Sequence, residues 1–341
     1  MSTSLQDIRR LSELDRLPWF EKDEDGRIRL RPDAGVPRVF DIHSHVASSA
    51  GLARDIDYGS RPPLVYFYDY ERDQDVLNVD THPYPDEAVK IGNEIRWLLL
   101  KQGPMGATHT AANFADEMDR FHYAHACLLP IEGPIASRHA EATLRAAKLD
   151  PRFIPFAAVH PYRWGPRQEA RLEELVRRGT PALKYHPEFQ FITPDNPHSM
   201  KLFEWCAAHD LPVLAHCGYT GAEPEWLRRK AEPERFRKAL EAFPNLRLLL
   251  AHTGLSRWRE TLDFVKLFDD RIWLDISGQP VPSMKTILRE YARERICYGS
   301  DWPFYPLAIA LARTLAATED CPHYRRDLLF NNAARFLKMA A

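Results

Sequence analysis

No run of apolar residues in this chain approaches the roughly 20 needed to cross a bilayer, so a membrane-spanning protein is not expected. No basic run stands out either. The 46 Lys and Arg are balanced by 48 Asp and Glu, which leaves no electrostatic footprint for nucleic acid or an anionic membrane surface. Cysteine is scarce: Cys127, Cys206, Cys217, Cys297 and Cys321 are scattered, odd in number and without paired spacing. That pattern excludes a disulfide framework and points to free thiols in a reducing compartment. Residues Met1–Asp7 lack the charged-then-apolar layout of a secretion signal, so the expected location is cytoplasmic.

The 341 residues are 45% apolar, enough for a sizeable core. Residues 1–37 are polar and read as an N-terminal accessory segment, with a helix near Leu5–Leu14 and a turn at Asp25-Gly26. Residues 38–341 then read as one domain. Its first apolar strand runs from Val39 into His43-Ser44-His45. Alternate strand residues share a face, so the two imidazoles project from the same side. Residues 46–125 interrupt the pattern as a long insertion, placed to form a wall or lid over that site. It holds aromatic residues from Val65 to Tyr70, a helix started by Asp86 and a further helix over Ala112–His122.

Beyond the insertion the text alternates. Short apolar strands at Ala126–Leu129, Phe153–Val159, Pro181–His186, Leu211–His216, Leu246–His252, Arg271–Ile276 and Ile296–Ser300 are each followed by a helical stretch. Ser199 and Ser283 are the expected caps of two of those helices. Continuous rather than alternating apolar runs suit strands buried on both faces. Counted from Val39 there are eight βα units, the layout of an α/β (β/α)₈ TIM-like barrel with a long insertion after its first strand. A doubly wound open sheet is the alternative, but no Gly-rich phosphate loop follows the first strand.

The polar residues fall at the strand ends. The first strand ends in His43 and His45, the fourth carries Lys184 and His186, the fifth ends in His216, the sixth in His252 and the eighth in Asp301. Barrel sites are built at the C-terminal mouth, so these residues are expected to converge. Neutral imidazoles and a carboxylate suit a borderline divalent ion such as Zn²⁺. Such an ion lowers the pKa of a bound water to near neutral. Asp301 could ligate it and act as general base, while His252 could be a further ligand or a pocket acid/base.

The strings Asp41–His45, Leu183–Pro187, Ala215–Gly218, Leu250–Gly254 and Gly299–Pro303, with the closing Asn332–Phe336, carry a family resemblance. Over about residues 38–340 the chain resembles the amidohydrolase superfamily, in the amidohydrolase-related branch that includes aminocarboxymuconate-semialdehyde decarboxylase-like enzymes. The resemblance implies a distorted barrel with metal at its mouth. His43, His45, His216 and Asp301 stand at the core ligand positions, and His252 at that of the sixth-strand histidine. Lys184 corresponds to a lysine that bridges two metals as a carbamate in some members and stays an ammonium in others. One divalent ion, Zn²⁺ or Mn²⁺, is expected ahead of two, with Lys184 and His252 as the residues for a second ion or for substrate. His186, Trp302 and Arg163 are weaker candidates for substrate contact.

Three functional readings follow. The first is a metal-dependent hydrolase of an amide, lactone or ester-like bond in a small molecule. The alternative is a non-oxidative decarboxylase or hydro-lyase acting on a small aromatic or unsaturated carboxylic acid. A non-catalytic scaffold is the third, against which the intact ligand positions speak. The resemblance is compatible with a homodimer.

Overall fold

In this computed structural model the described residues are 7–46, 56–66, 71–73, 89, 92–93, 103, 105–133, 138–162, 164–219, 223–268 and 271–339. Of the expected helix started by Asp86 only Val89, Gly92 and Asn93 are among them, all three helical, and most of the aromatic run near Tyr68 lies outside them. A short antiparallel hairpin, β1 (Phe20–Lys22) and β2 (Ile28–Leu30), precedes the barrel. Gly26 takes the left-handed conformation its turn requires, at φ 75°. The expected helix near Leu5–Leu14 is a 3₁₀ segment at Leu11–Arg16. Its Leu11 and Leu14 join Trp19 and Phe20 in a buried cluster shared with the helix Leu307–Ala317.

Eight parallel strands follow: β3 (Val39–Ser44), β4 (Tyr123–Leu128), β5 (Phe153–Pro155), β6 (Leu183–Tyr185), β7 (Val213–Ala215), β8 (Leu248–Leu250), β9 (Ile272–Asp275) and β10 (Ile296–Cys297). Ladders run β3-β4-β5 and β6-β7-β8-β9-β10. The two arcs meet at both seams. Ala157 donates to the Ala182 carbonyl and Lys184 to the Ala157 carbonyl, each at 2.8 Å, while Ile42 donates to the Tyr298 carbonyl at 3.1 Å. The sheet therefore closes as a barrel, as the pattern of apolar strands predicts.

The two-residue period sorts the side chains. Val213, Ala215, Leu248, Leu250, Ile272 and Leu274 pack in one cluster with the surrounding helices. Leu214, Leu249, Trp273 and Cys297 join another with Phe40, Phe330 and Phe336. Lys184 lies in register with Leu214, and so projects from the face opposite to Leu183 and Tyr185. That alternation directs polar side chains at the ends of β3, β6, β7, β8, β9 and β10 to one mouth.

Two expected helix starts shift. Ser199 lies inside the helix Pro197–Ala208, whose cap is Asn196, with its side chain accepting from the His198 amide. Pro197, with a fixed φ and no N–H to lose, favours the first helical position. Likewise Val281–Glu290 starts after Pro280, so Ser283 falls within it and bonds back to Gln279. The third strand also ends earlier than expected, at Pro155, although Ala157 still pairs with Leu183 of β6. No helix among the described residues is long and apolar enough to cross a membrane, and all five cysteines are free.

Candidate metal centre

The mouth is assembled from the strand ends upward. At the β3–β10 seam Asp41 is fully buried and accepts from the His43 amide at 3.0 Å, the Ser300 amide at 2.9 Å and the Ser300 hydroxyl. Burial pushes its carboxyl up to about 7, against these hydrogen bonds. Asp301 follows with φ 57° and donates its amide to the His43 carbonyl at 2.7 Å. Space here is tight: a Cβ on Gly299 would lie 2.8 Å from that of His43. The carboxyl of Asp301 is thereby set between two imidazoles, 3.6 Å from His43 Nε2 and 3.5 Å from His45 Nε2.

Hydrogen bonds on the far ring nitrogens determine the tautomers. His45 Nδ1 donates to the Leu129 carbonyl at 2.8 Å. His43 Nδ1 donates to Asp275 Oδ2 at 2.9 Å. The other oxygen of Asp275 accepts from the His252 amide at 2.9 Å, the Ser277 amide at 3.0 Å and the Ser277 hydroxyl. Since that hydroxyl spends its proton on Asp275, it accepts from His252 Nδ1 at 2.8 Å. All three imidazoles therefore present an Nε2 lone pair to the same space. Donor atoms of His43, His252 and Asp301 lie within 4.8 Å of one another.

This donor set fits a divalent ion. Ligands about 2.1 Å from a tetrahedral ion stand about 3.4 Å apart, close to the 3.5 and 3.6 Å separations at Asp301. The carboxylate and hydroxyl behind His43 and His252 are the supports that ligating histidines require. Burial first, and then neighbouring positive groups, lowers the pKa of His43 and His252 well below the ordinary imidazole range, which keeps both neutral. Burial raises the Asp301 carboxyl, while His45 and Lys184 partly offset it. Lys184 is buried at 1% exposure with Nζ 3.2 Å from His43 Nε2. Desolvation lowers its amine to about 8, against the pull of Asp301 and Asp275.

His216 takes a different neighbour from the one expected. Its Nε2 faces Glu188 Oε2 at 3.3 Å, and its ring stacks on His186 with centroids 4.0 Å apart. Burial holds His216 down to about 4 and pushes Glu188 up to about 9. The loops carrying His216 and His252 approach closely. A Cβ on Gly218, at φ 80°, would meet the Gly254 carbonyl oxygen at 2.0 Å, so only glycine fits. Gly254 heads a turn in which His252, Thr253 and Leu255 all have positive φ.

Trp302 does not line this space. It is fully buried and stacks on Phe114 at 4.3 Å and 9°, because the left-handed turn at Asp301 sends the next residue outward into the core. Phe304 instead reaches the mouth, its ring 6.2 Å from that of His45. Arg163 lies outside the described residues. Sequence reasoning passed over Asp275, Ser277 and Glu188. Asp275 carried a usable signal, being the acidic end of an apolar strand like the others.

A family model described as amidohydrolase matches residues 78–339, well over half of the chain. None of the curated proteins matches. Among solved structures, the chain is similar to 5-carboxyvanillate decarboxylase LigW from Sphingomonas paucimobilis at 13% identity and TM-score 0.62, covering 89% of this chain and 99% of that one. It is similar to a probable 2-pyrone-4,6-dicarboxylic acid hydrolase from Acinetobacter baumannii at 14% identity and TM-score 0.55, covering 89% and 100%. It also resembles a 5-carboxyvanillate decarboxylase from Novosphingobium aromaticivorans, complexed with manganese, at 16% identity and TM-score 0.55, covering 76% and 86%. At these identities the likeness concerns the fold, and the family match spans the strand ends described above from β4 onward. The chain belongs to the amidohydrolase family.

Proposed function

We propose that the protein is a divalent-metal enzyme that removes a carboxyl group, without oxidation, from a small aromatic or unsaturated carboxylic acid. The observation that carries this reading is Lys184, a cation buried at 1% exposure beside the converging imidazoles. A desolvated cation inside a pocket is costly unless anions offset it; Asp301 and Asp275 already act on Lys184, and a substrate carboxylate would add to them. Two of the relatives above are named as decarboxylases of an aromatic acid, which favours this reaction over hydrolysis.

His43, His45 and Asp301 would hold the ion, with His252 alongside. Bound there, a Zn²⁺ or Mn²⁺ ion would act as a Lewis acid on substrate oxygens. Lys184 orients the carboxylate. His45 and Asp301, partly open to solvent, mark the side from which substrate enters. Asp301, set between the two imidazoles, is the group placed to carry a proton to the reacting carbon. As the bond from carbon to carboxyl breaks, its electron pair stays on the carbon and takes up that proton, and CO₂ leaves. Water then reprotonates Asp301.

Hydrolysis is the second reading, supported by the relative named as a pyrone-dicarboxylic acid hydrolase. That substrate is also an acid, so Lys184 has the same role in both. The test is a panel of hydroxylated benzoic acids incubated in D₂O with Mn²⁺- or Zn²⁺-loaded protein. Decarboxylation yields CO₂ and one deuteron at the vacated carbon. Absence of both, with ring opening of lactones and ¹⁸O uptake from labelled water, would replace the decarboxylase by the hydrolase.

A further inference from the structure

The turn after β6 contains a second cluster that the centre at Asp301 does not use. Donor atoms of His186, Glu188 and His216 lie within 4.8 Å of one another. Glu188 is 3% exposed and His216 8%. Even so, Glu188 Oε1 and His216 Nε2 have no hydrogen-bond partner among the described residues. His216 Nε2 lies 3.3 Å from Glu188 Oε2 without the alignment of a hydrogen bond. A buried polar atom left unsatisfied costs about 1–3 kcal/mol, and Glu188 and His216 carry one each. Something absent from the chain itself is expected between them.

The surroundings say what kind of group fits. The turn is rigid: Gln190 accepts from the His186 amide at 3.0 Å and donates to the Val159 carbonyl at 3.0 Å, while His160 Nε2 meets the Gln190 carbonyl at 2.8 Å. Glu188 is therefore held against His216 by the fold. The 3.3 Å separation is again close to the roughly 3.4 Å between two ligands of one tetrahedral ion. Two imidazoles and one carboxylate form a donor set for Zn²⁺, Mn²⁺ or Co²⁺ and a poor one for Ca²⁺ or Mg²⁺. His186 is restrained at Nδ1 by a single long contact, 3.4 Å from the Phe189 amide. Its ring packs against those of His216 and Phe189, with centroids 4.0 and 4.6 Å away.

We propose that His186, Glu188 and His216 form a second divalent-cation site beside the one at His43, His45 and Asp301. The rings of His216 and His252 meet edge to face at 4.9 Å, so the two sites share a wall. This arrangement gives the mouth two ions without a carbamate on Lys184, whose Nζ is turned to His43. The inference goes beyond the proposed reaction and does not depend on which bond is broken.

The test is titration of chelator-stripped protein with Zn²⁺ against a competing chelator, paired with elemental analysis. Wild type is expected to bind two ions per chain. Glu188→Gln, which preserves shape, and His216→Gln are each expected to weaken one step at least 100-fold and keep the other. Asp301→Asn is expected to weaken the opposite step. Melting of the stripped variants within a few degrees of wild type shows that the barrel is intact. Binding of a single ion, unchanged by Glu188→Gln but lost in Asp301→Asn, overturns the second site and leaves the first standing. No bound ion in wild type overturns both.

Discussion

Replacing Asp275 by Asn tests how the barrel prepares His43. The carboxylate takes His43 Nδ1–H on one oxygen and three donors on the other, namely the His252 amide and the amide and hydroxyl of Ser277. In Asp275→Asn the amide oxygen keeps the three donors, and its NH₂ then faces His43 Nδ1 at the former 2.9 Å. Two donors meet. The inexpensive relief is for His43 to move its proton to Nε2, which replaces the inward lone pair by an N–H and removes a ligand. Loss of such support costs about 10–100-fold in metal affinity, or about 1.4–2.8 kcal/mol. Competition of Zn²⁺ against a chelator measures that loss, and a parallel melt of metal-free protein separates it from unfolding. Ser277→Ala is the comparison, since it removes the partner of His252 Nδ1 while leaving the His43–Asp275 hydrogen bond itself in place. Affinity within twofold of wild type in Asp275→Asn would refute the tautomer argument.

Other substitutions address separate links. Trp302→Ala removes a fully buried indole stacked on Phe114; it should cost about 3–5 kcal/mol in denaturant unfolding. Substrate preference among turned-over acids should not change, and a specificity change without lost stability would restore Trp302 to the pocket. Gly218→Ala places a methyl 2.0 Å from the Gly254 oxygen at a positive φ. The two loops must separate, so Tm should fall by several degrees and Zn²⁺ affinity with it; an unchanged melt would show that the contact is not tight. Asp301→Asn should lower kcat by about 10²–10⁴-fold, the usual worth of a positioned proton donor. A near-wild-type rate with undiminished metal content would remove Asp301 from the chemistry.

What was legible in the chain follows from the two-residue period of strands. His43 and His45, Lys184 and His186, His216, His252 and Asp301 all sit at or just past apolar strand ends, and the barrel brings them to one mouth. The same rule applied to Ile272–Asp275 would have singled out Asp275, which an apolar reading of the strand obscured. Glu188 was harder to find. Its place depends on Gln190 folding the turn back to His186 and Val159, a three-dimensional closure with no periodic signature. That closure also sets Glu188 Oε2 3.3 Å from His216 Nε2. Trp302 shows the opposite failure, because nearness in sequence to Asp301 says nothing once the backbone turns left-handed between them. Helix starts moved where Pro197 and Pro282 stand in the first turn ahead of the nearby serines, since proline there is already shaped for the helix.

The most direct measurement is anomalous diffraction from crystals of wild-type protein grown with Mn²⁺. A peak is expected about 2.0–2.3 Å from Nε2 of His43, Nε2 of His45 and a carboxylate oxygen of Asp301, absent in Asp301→Asn. Density showing that position empty under saturating Mn²⁺, with the three side chains placed as here, would contradict the metal centre and the decarboxylase built on it.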